Sequence, residues 1–289
     1  MRRIAGMMLL ALAAACGSPA RPVTQPGATA PETTAPPSQP ETMEVTIYYL
    51  VTGKNGIYLA PERHRVAKAQ AVARAAVEEL VHGTAQDPDH STPFPRAATI
   101  NAVSISSGVA TVDWSAEVLN ASVGAEQEER GIQSLVYTLT EFPTITGVRF
   151  TVEGKASGSA SNGRRIEDWW GHVGLGGQPF KRAAAPGLLE PVTLWTPVEG
   201  DRSTGAITLR GDATVFEATV SIRLVDATGR TIAEAFTTAG EGAPGRGAFE
   251  STLTFAPPAT PQTWNVIAYE ASAEDGSVFF AEDRSIRVG

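Results

Sequence analysis

The stretch LVYTLTEFPTITGVRFTVEGK, Leu135–Lys155, changes periodicity at Pro143. Upstream, Ile132, Leu135, Val136 and Leu139 recur at the three- and four-residue spacing of a helix buried on one stripe. Downstream, Val148, Phe150 and Val152 alternate with Arg149, Thr151 and Glu153, the period of a strand with one buried face. Proline has no backbone N–H to continue a helix, so the junction predicts a helix over about Glu126–Phe142, then a strand. Glu126, Glu128 and Glu129 fall in the first turn of that helix, where the dipole favours acids. Thr138, Thr140 and Glu141 are expected to face solvent or cap the corner.

Working towards the N-terminus, NAVSIS and VATVDWS read as a hairpin turning at Ser107-Gly108, with Ala110, Val112 and Trp114 on its inner face. A helix is predicted over about Ala67–Val81, carrying Ala69, Val72, Ala76 and Leu80 on one stripe, with Gly83 just past its end. Before it, VTIYYLV and IYLAPERHRV are strands joined at Asn55-Gly56, the first apolar on both faces. Strands and helices therefore mix as an α+β domain, with helices on one face of a mixed sheet.

Towards the C-terminus the pattern differs. FEATVSIRL places Phe216, Ala218, Val220, Ile222 and Leu224 on one face, and FESTLTF does the same with Phe249, Ser251, Leu253 and Phe255. Thr228-Gly229 and Asp275-Gly276 mark turns, and Pro257-Pro258 breaks the chain. Short alternating strands at regular turn spacing predict an all-β, immunoglobulin-like sandwich.

The chain of 289 residues begins MRRIAGMMLLALAAAC, with two arginines, a short apolar run and small residues before Cys16. The run is far short of the roughly 20 apolar residues that span a bilayer, so it reads as an export signal. Ala13-Ala14-Ala15-Cys16 resembles the bacterial lipobox, with Leu12 four residues before the cysteine instead of the usual three. Cys16 is the only cysteine, so no disulfide can form within the chain, and a lipid on its sulfur explains its presence. Cleavage before Cys16 would remove Arg2 and Arg3 and take the formal charge from −8 to −10. The segment GSPARPVTQPGATAPETTAPPSQPET, 17–42, lacks aromatic residues and periodicity, and is read as a disordered spacer. The expected organisation is a signal peptide over 1–15, lipidated Cys16 with its spacer over 16–43, an α+β domain over 44–182, a linker over 183–190 and a β-sandwich over 191–289.

Two sets of motifs resemble known families. VATVDWSAEV (Val109–Val118), SLVYTLTEFPTITGVRFTVEGK (Ser134–Lys155) and, more weakly, GHVGLGGQPFKR (Gly171–Arg182) are similar to the GerMN domain of sporulation and spore germination lipoproteins. TPVEGD, FEATVSIRLVDATGR, GAFESTLTF and YEASAEDGS resemble the Gmad-type immunoglobulin-like domain that often follows it. The resemblance implies a surface lipoprotein whose first domain is similar to ring-building motifs that assemble envelope complexes, in a family not known for catalysis.

The chain's own residues agree with a non-enzymatic reading. A net charge of −8 without a basic stripe argues against nucleic acid. His64, His82, His90 and His172 fit no metal-binding spacing, no serine sits in a nucleophile elbow, and no cofactor motif is present. Asp87, Asp89 and His90 in DPDH read either as a cation-holding loop or as a proline-broken polar turn, and the second reading is adopted because one short cluster supplies too few ligands. Asp113 is read as a strand-end hydrogen-bonding residue beside a core Trp114. The adjacent Trp169 and Trp170 are the candidate interaction residues, with packing against the domain as the alternative for one ring. The expectation is a lipid-anchored protein on the extracytoplasmic face of the cell membrane that binds an envelope protein. A peptidoglycan- or carbohydrate-binding module, hinted at by Trp169, Trp170 and Trp195, is the alternative.

Overall fold

The computed structural model describes residues 41–68, 71–171 and 177–289. The first module opens with a long antiparallel hairpin, β1 (Thr42–Gly53) and β2 (Gly56–Ala67), paired as a two-stranded sheet. Gly56 closes the turn at φ +146°, a conformation that side-chain-bearing residues avoid. Helix α1 (Val72–His82) follows, starting five residues later than its apolar pattern suggests and stopping at Gly83. Strands β3 (Ile100–Ser106) and β4 (Val109–Trp114) form the expected hairpin, turning through left-handed Ser107 and Gly108. Helix α2 (Ala125–Thr140) leads to β5 (Gly147–Val152), which pairs with β4 in parallel, so the three-stranded sheet β3-β4-β5 is mixed.

The hairpin β1–β2 is not part of that sheet, whereas the sequence pattern suggested one sheet for all the strands. The physical reason lies in what covers its edges. At Tyr48 the backbone N–H donates to Thr138 Oγ1 at 3.0 Å, and its C=O accepts from Ser134 Oγ at 2.6 Å. Two helical hydroxyls, four residues apart and on one face of α2, thus do what a neighbouring strand would otherwise do. Two residues further along the same edge of β1, Leu50 exchanges both backbone bonds with Ser91. On the other edge, Leu59 is held by the backbone of Leu188 and Glu190. Residues 188–190 are therefore docked on β2, and Ala183 is held by Tyr137 and Gln133 of α2. Thr138 is buried, which corrects the expectation that it faces solvent. Thr140 and Glu141 do close the corner, through Arg182: its Nε donates to Thr140 Oγ1 at 2.6 Å and its guanidinium pairs with Glu141.

The second module has eight strands: β6 (Val192–Thr196), β7 (Arg202–Ser203), β8 (Ala206–Ala213), β9 (Thr219–Val225), β10 (Thr231–Thr238), β11 (Gly247–Thr254), β12 (Gln262–Ala271) and β13 (Val278–Val288). They form two sheets, ordered β10-β9-β12-β13-β7 and β11-β8-β6. Leu209, Val220, Ile222, Leu224, Phe249, Leu253, Trp264 and Val266 fill the space between them. Inward alternation begins at Val220 and not, as the sequence pattern suggested, at Phe216. Glu217 and Ala218 adopt left-handed backbone (φ 52° and 57°), which takes Phe216 off the strand and out to solvent.

The first module's core gathers Ile47 and Tyr49 of β1, Leu80 of α1, Trp114, Leu135 and Leu139 of α2, and Phe150. The hairpin joins the two modules, because Val51, Tyr58 and Ala60 pack into the core of the sandwich. Tyr58 meets Phe280 of β13 edge to face, centroids 5.6 Å apart.

Candidate functional site

Where the hairpin meets the sandwich, six ionisable side chains are buried together: Glu62, His64, Asp87, His90, Glu282 and Arg284. Strand β2 places Glu62 and His64 on one face by its two-residue period, and β13 does the same for Glu282 and Arg284. Asp87 and His90 come from the loop between α1 and β3. Glu62 is the hub. One carboxylate oxygen meets His90 Nδ1 at 2.7 Å and the other meets His64 Nε2 at 2.6 Å, while the backbone N–H groups of Gln86 and Asp87 donate to it at 2.8 and 2.9 Å. Burial alone would raise the pKa of Glu62, but these four donors outweigh it and hold the carboxyl well below the usual range. His64 also reaches Glu79 Oε1 at 2.8 Å; burial works against its protonation, and the two flanking carboxylates overcome it and raise its pKa. Arg284 pairs with Asp87 and, at 2.6 Å, with Glu282 Oε1. Burial raises the pKa of Glu282, against the nearby Arg284.

A second buried acid lies on the sandwich side. Glu190 accepts from Thr193 Oγ1 at 2.6 Å, and Arg246 donates to the Glu190 carbonyl and to Thr193 Oγ1. Burial, reinforced by the charge of Glu282, pushes the Glu190 carboxyl well above its ordinary 4.5. The folded state then holds a proton that the unfolded chain releases near pH 4.5. This contribution favours folding below that pH, and stability declines as pH rises towards the folded value. Glu190→Gln should remove the decline: the unfolding free energy of the variant relative to wild type is expected to rise above pH 4.5, by up to about 1.4 kcal/mol per pH unit for one proton. Urea titrations at several pH values check this, and parallel wild-type and variant profiles would refute it.

The expected interaction residues fall elsewhere. Trp169 is 2% exposed and meets Trp114 and Phe150 edge to face at 6.1 and 5.4 Å, so its ring is part of the core instead of an accessible anchor. The Trp170 side chain, His172 and Cys16 lie outside the described residues. Trp195 lines a cleft of about 600 Å³ with Arg63, Arg65 and Glu199, but Arg63 covers its ring at 4.4 Å and its Nε1–H donates to Asp212. Asp113 accepts from Thr151 and the Gly154 backbone, the strand-end role read for it. The apolar groups on the surface are different ones. Phe236 on β10 is 78% exposed and Phe216, just before β9, is 58% exposed. Strand β10 is the edge of its sheet, and Phe236 shares an outward row with Ser221 of β9 and Tyr269 of β12.

The sequence reading missed Glu62, Glu282 and Arg284. The signal available was Glu62-Arg63-His64-Arg65 inside a strand, charges in alternation where one face must be buried.

An α+β module with a mixed sheet, followed by a β-sandwich that is antiparallel except for the short β7–β13 pairing, is the class of protein this fold defines. The sporulation and spore germination family matches residues 46–158, and the immunoglobulin-like domain of bacterial spore germination matches residues 192–277. The chain is a GerMN-domain protein of the sporulation and germination type, with a Gmad-type immunoglobulin-like domain following. Among solved structures it is similar to the tandem GerMN domains of the sporulation protein GerM from Bacillus subtilis, at 23% identity and TM-score 0.39, over 53% of this chain and 50% of that one. The first GerMN domain of the same protein matches at 27% identity and TM-score 0.34, over 49% of this chain and 94% of that one. The chain thus spans about half of the tandem-domain structure. No curated protein matches it by sequence.

Proposed function

We propose that the protein is a non-enzymatic, lipid-anchored component of the cell envelope whose two modules recognise a partner protein. Its setting would be the extracytoplasmic face of the membrane, with Cys16 carrying the lipid and 17–42 acting as a tether. The observation that carries the recognition role is Phe236, a large aromatic residue in solvent on an edge strand. Such strands offer unpaired backbone groups, and aromatic side chains beside them concentrate interface energy. The arrangement of Glu62 also favours a non-catalytic reading, because both its carboxylate oxygens are engaged by His64, His90 and the backbone of Gln86 and Asp87.

Two measurements test this reading. Labelled palmitate should enter the wild-type protein and be absent from Cys16→Ala; label retained on the variant contradicts the anchor. Crosslinking in the native cell should capture a protein with the wild type, and at least tenfold less of it with Phe216→Ser/Phe236→Asp. Equal capture by both, or capture of wall polymer alone, contradicts the recognition surface.

A further inference from the structure

We propose that Asp87, His90 and Glu282 form a binding site for one divalent transition-metal ion of the zinc type, pinning the first module to the sandwich. One ligand atom from each of the three lies within 4.8 Å of the other two, and all three residues are buried. Two come from the loop of the first module and the third from β13, so the donor set exists only in the folded two-module unit.

The decisive detail is the orientation of His90. Its side chain is 1% exposed, and its Nδ1 faces Glu62 Oε1 at 2.7 Å. With Nδ1 engaged by Glu62, Nε2 is the ring nitrogen left to coordinate: it is buried, has no hydrogen-bond partner and lies 3.7 Å from Glu282 Oε1. A carboxylate that fixes the far nitrogen of an imidazole is also the arrangement that orients metal-binding histidines. Arg284 Nη1 bridges the other two donors, pairing with Asp87 Oδ2 and, at 2.6 Å, with Glu282 Oε1, so an ion would bind beside the guanidinium on the carboxylate positions it leaves open.

Charge points the same way. Three carboxylates, Glu62, Asp87 and Glu282, are buried together with His64, His90 and Arg284, and a divalent cation between Asp87, His90 and Glu282 would add positive charge where acids converge. An imidazole with two carboxylates selects zinc-like ions over calcium or magnesium, which prefer all-oxygen shells. With bonds near 2.0 Å, tetrahedral ligands stand about 3.3 Å apart, so modest side-chain movements close the site. Access is provided by a cavity of about 250 Å³ lined by Gly53, Lys54, Asp87, Asp89, Glu282 and Asp283, whose acidic rim attracts cations.

The test uses the full-length chain carrying Cys16→Ala, which removes a competing thiol, stripped of metal by chelation. Titration calorimetry with Zn²⁺ should give one site per chain. Co²⁺ should give the visible absorption of a low-coordinate nitrogen–oxygen site, and Ca²⁺ and Mg²⁺ should not compete. His90→Ala and Glu282→Gln should each weaken Zn²⁺ binding at least 100-fold, while His82→Ala on helix α1 leaves it unchanged. Should a variant fail to fold by circular dichroism, the parent protein still decides: chelator should lower its melting temperature and one equivalent of Zn²⁺ should restore it. Absence of saturable Zn²⁺ binding, loss of binding in His82→Ala, or retention in both folded ligand variants would overturn the proposal. The partner-capture experiment does not depend on this outcome.

Discussion

Trp114→Ala is expected to destabilise the protein by about 3–5 kcal/mol, the range for removing a large aromatic side chain from a packed core. Trp114 has no solvent exposure and belongs to a chain of five packed aromatic rings. Its ring stacks on Phe94 with centroids 5.0 Å apart, and meets Trp169 edge to face. Trp169 continues to Phe150, which meets Phe180 at 5.7 Å. These residues come from the α1–β3 loop, β4, β5 and the segment after β5, so a cavity at Trp114 loosens four pieces of chain at once. Urea unfolding followed by circular dichroism reads the loss, with Trp195→Ala, at a partly exposed ring, expected to cost under half as much. Equal losses for the two variants would show that the aromatic chain is not the centre of this core.

The second large effect belongs to Arg284. Its side chain is 7% exposed and neutralises Asp87 and Glu282, in a cluster that also contains Glu62. Arg284→Met in metal-free protein would strand those carboxylates in a buried site, and is expected to cost about 3–5 kcal/mol, as breaking a buried pair from one side does. The penalty is one of uncompensated charge, so adding Asp87→Asn and Glu282→Gln should recover part of it. A triple variant no more stable than Arg284→Met would show that the arginine acts through packing of its stem. Because the cluster lies where β2 meets β13, calorimetry should also show the single unfolding transition broaden or split in Arg284→Met.

Much of this architecture was legible because it rests on local periodicity. The helix-to-strand corner at Pro143, the Ser107-Gly108 hairpin and the alternation of Val220, Ile222 and Leu224 are each set by residues near one another in the chain. What the sequence concealed depends on partners far away. Thr138 looks like a surface residue of an amphipathic helix, and is buried because the backbone of Tyr48, 90 residues upstream, requires an acceptor. Phe216 continues a strand pattern that two left-handed residues interrupt. The DPDH segment looks short of ligands because its third acid, Glu282, lies almost two hundred residues further on, on the other module. Single-chain periodicity carries no information about such pairings, and the strand separation of the β1–β2 hairpin is of the same kind: hydroxyls from a helix, not a missing hydrophobic pattern, end the sheet there.

The central claim is that the outer face of the β10 edge is where a protein partner binds. A photo-crosslinking amino acid placed at position 236 of the full-length protein, in its native cell, addresses it directly. Position 104, an exposed residue on β3 of the first module, serves as the comparison. The expected result is a discrete protein adduct formed from position 236 and absent from position 104. Identical adducts from both positions, or none but wall glycan from position 236, would contradict the claim.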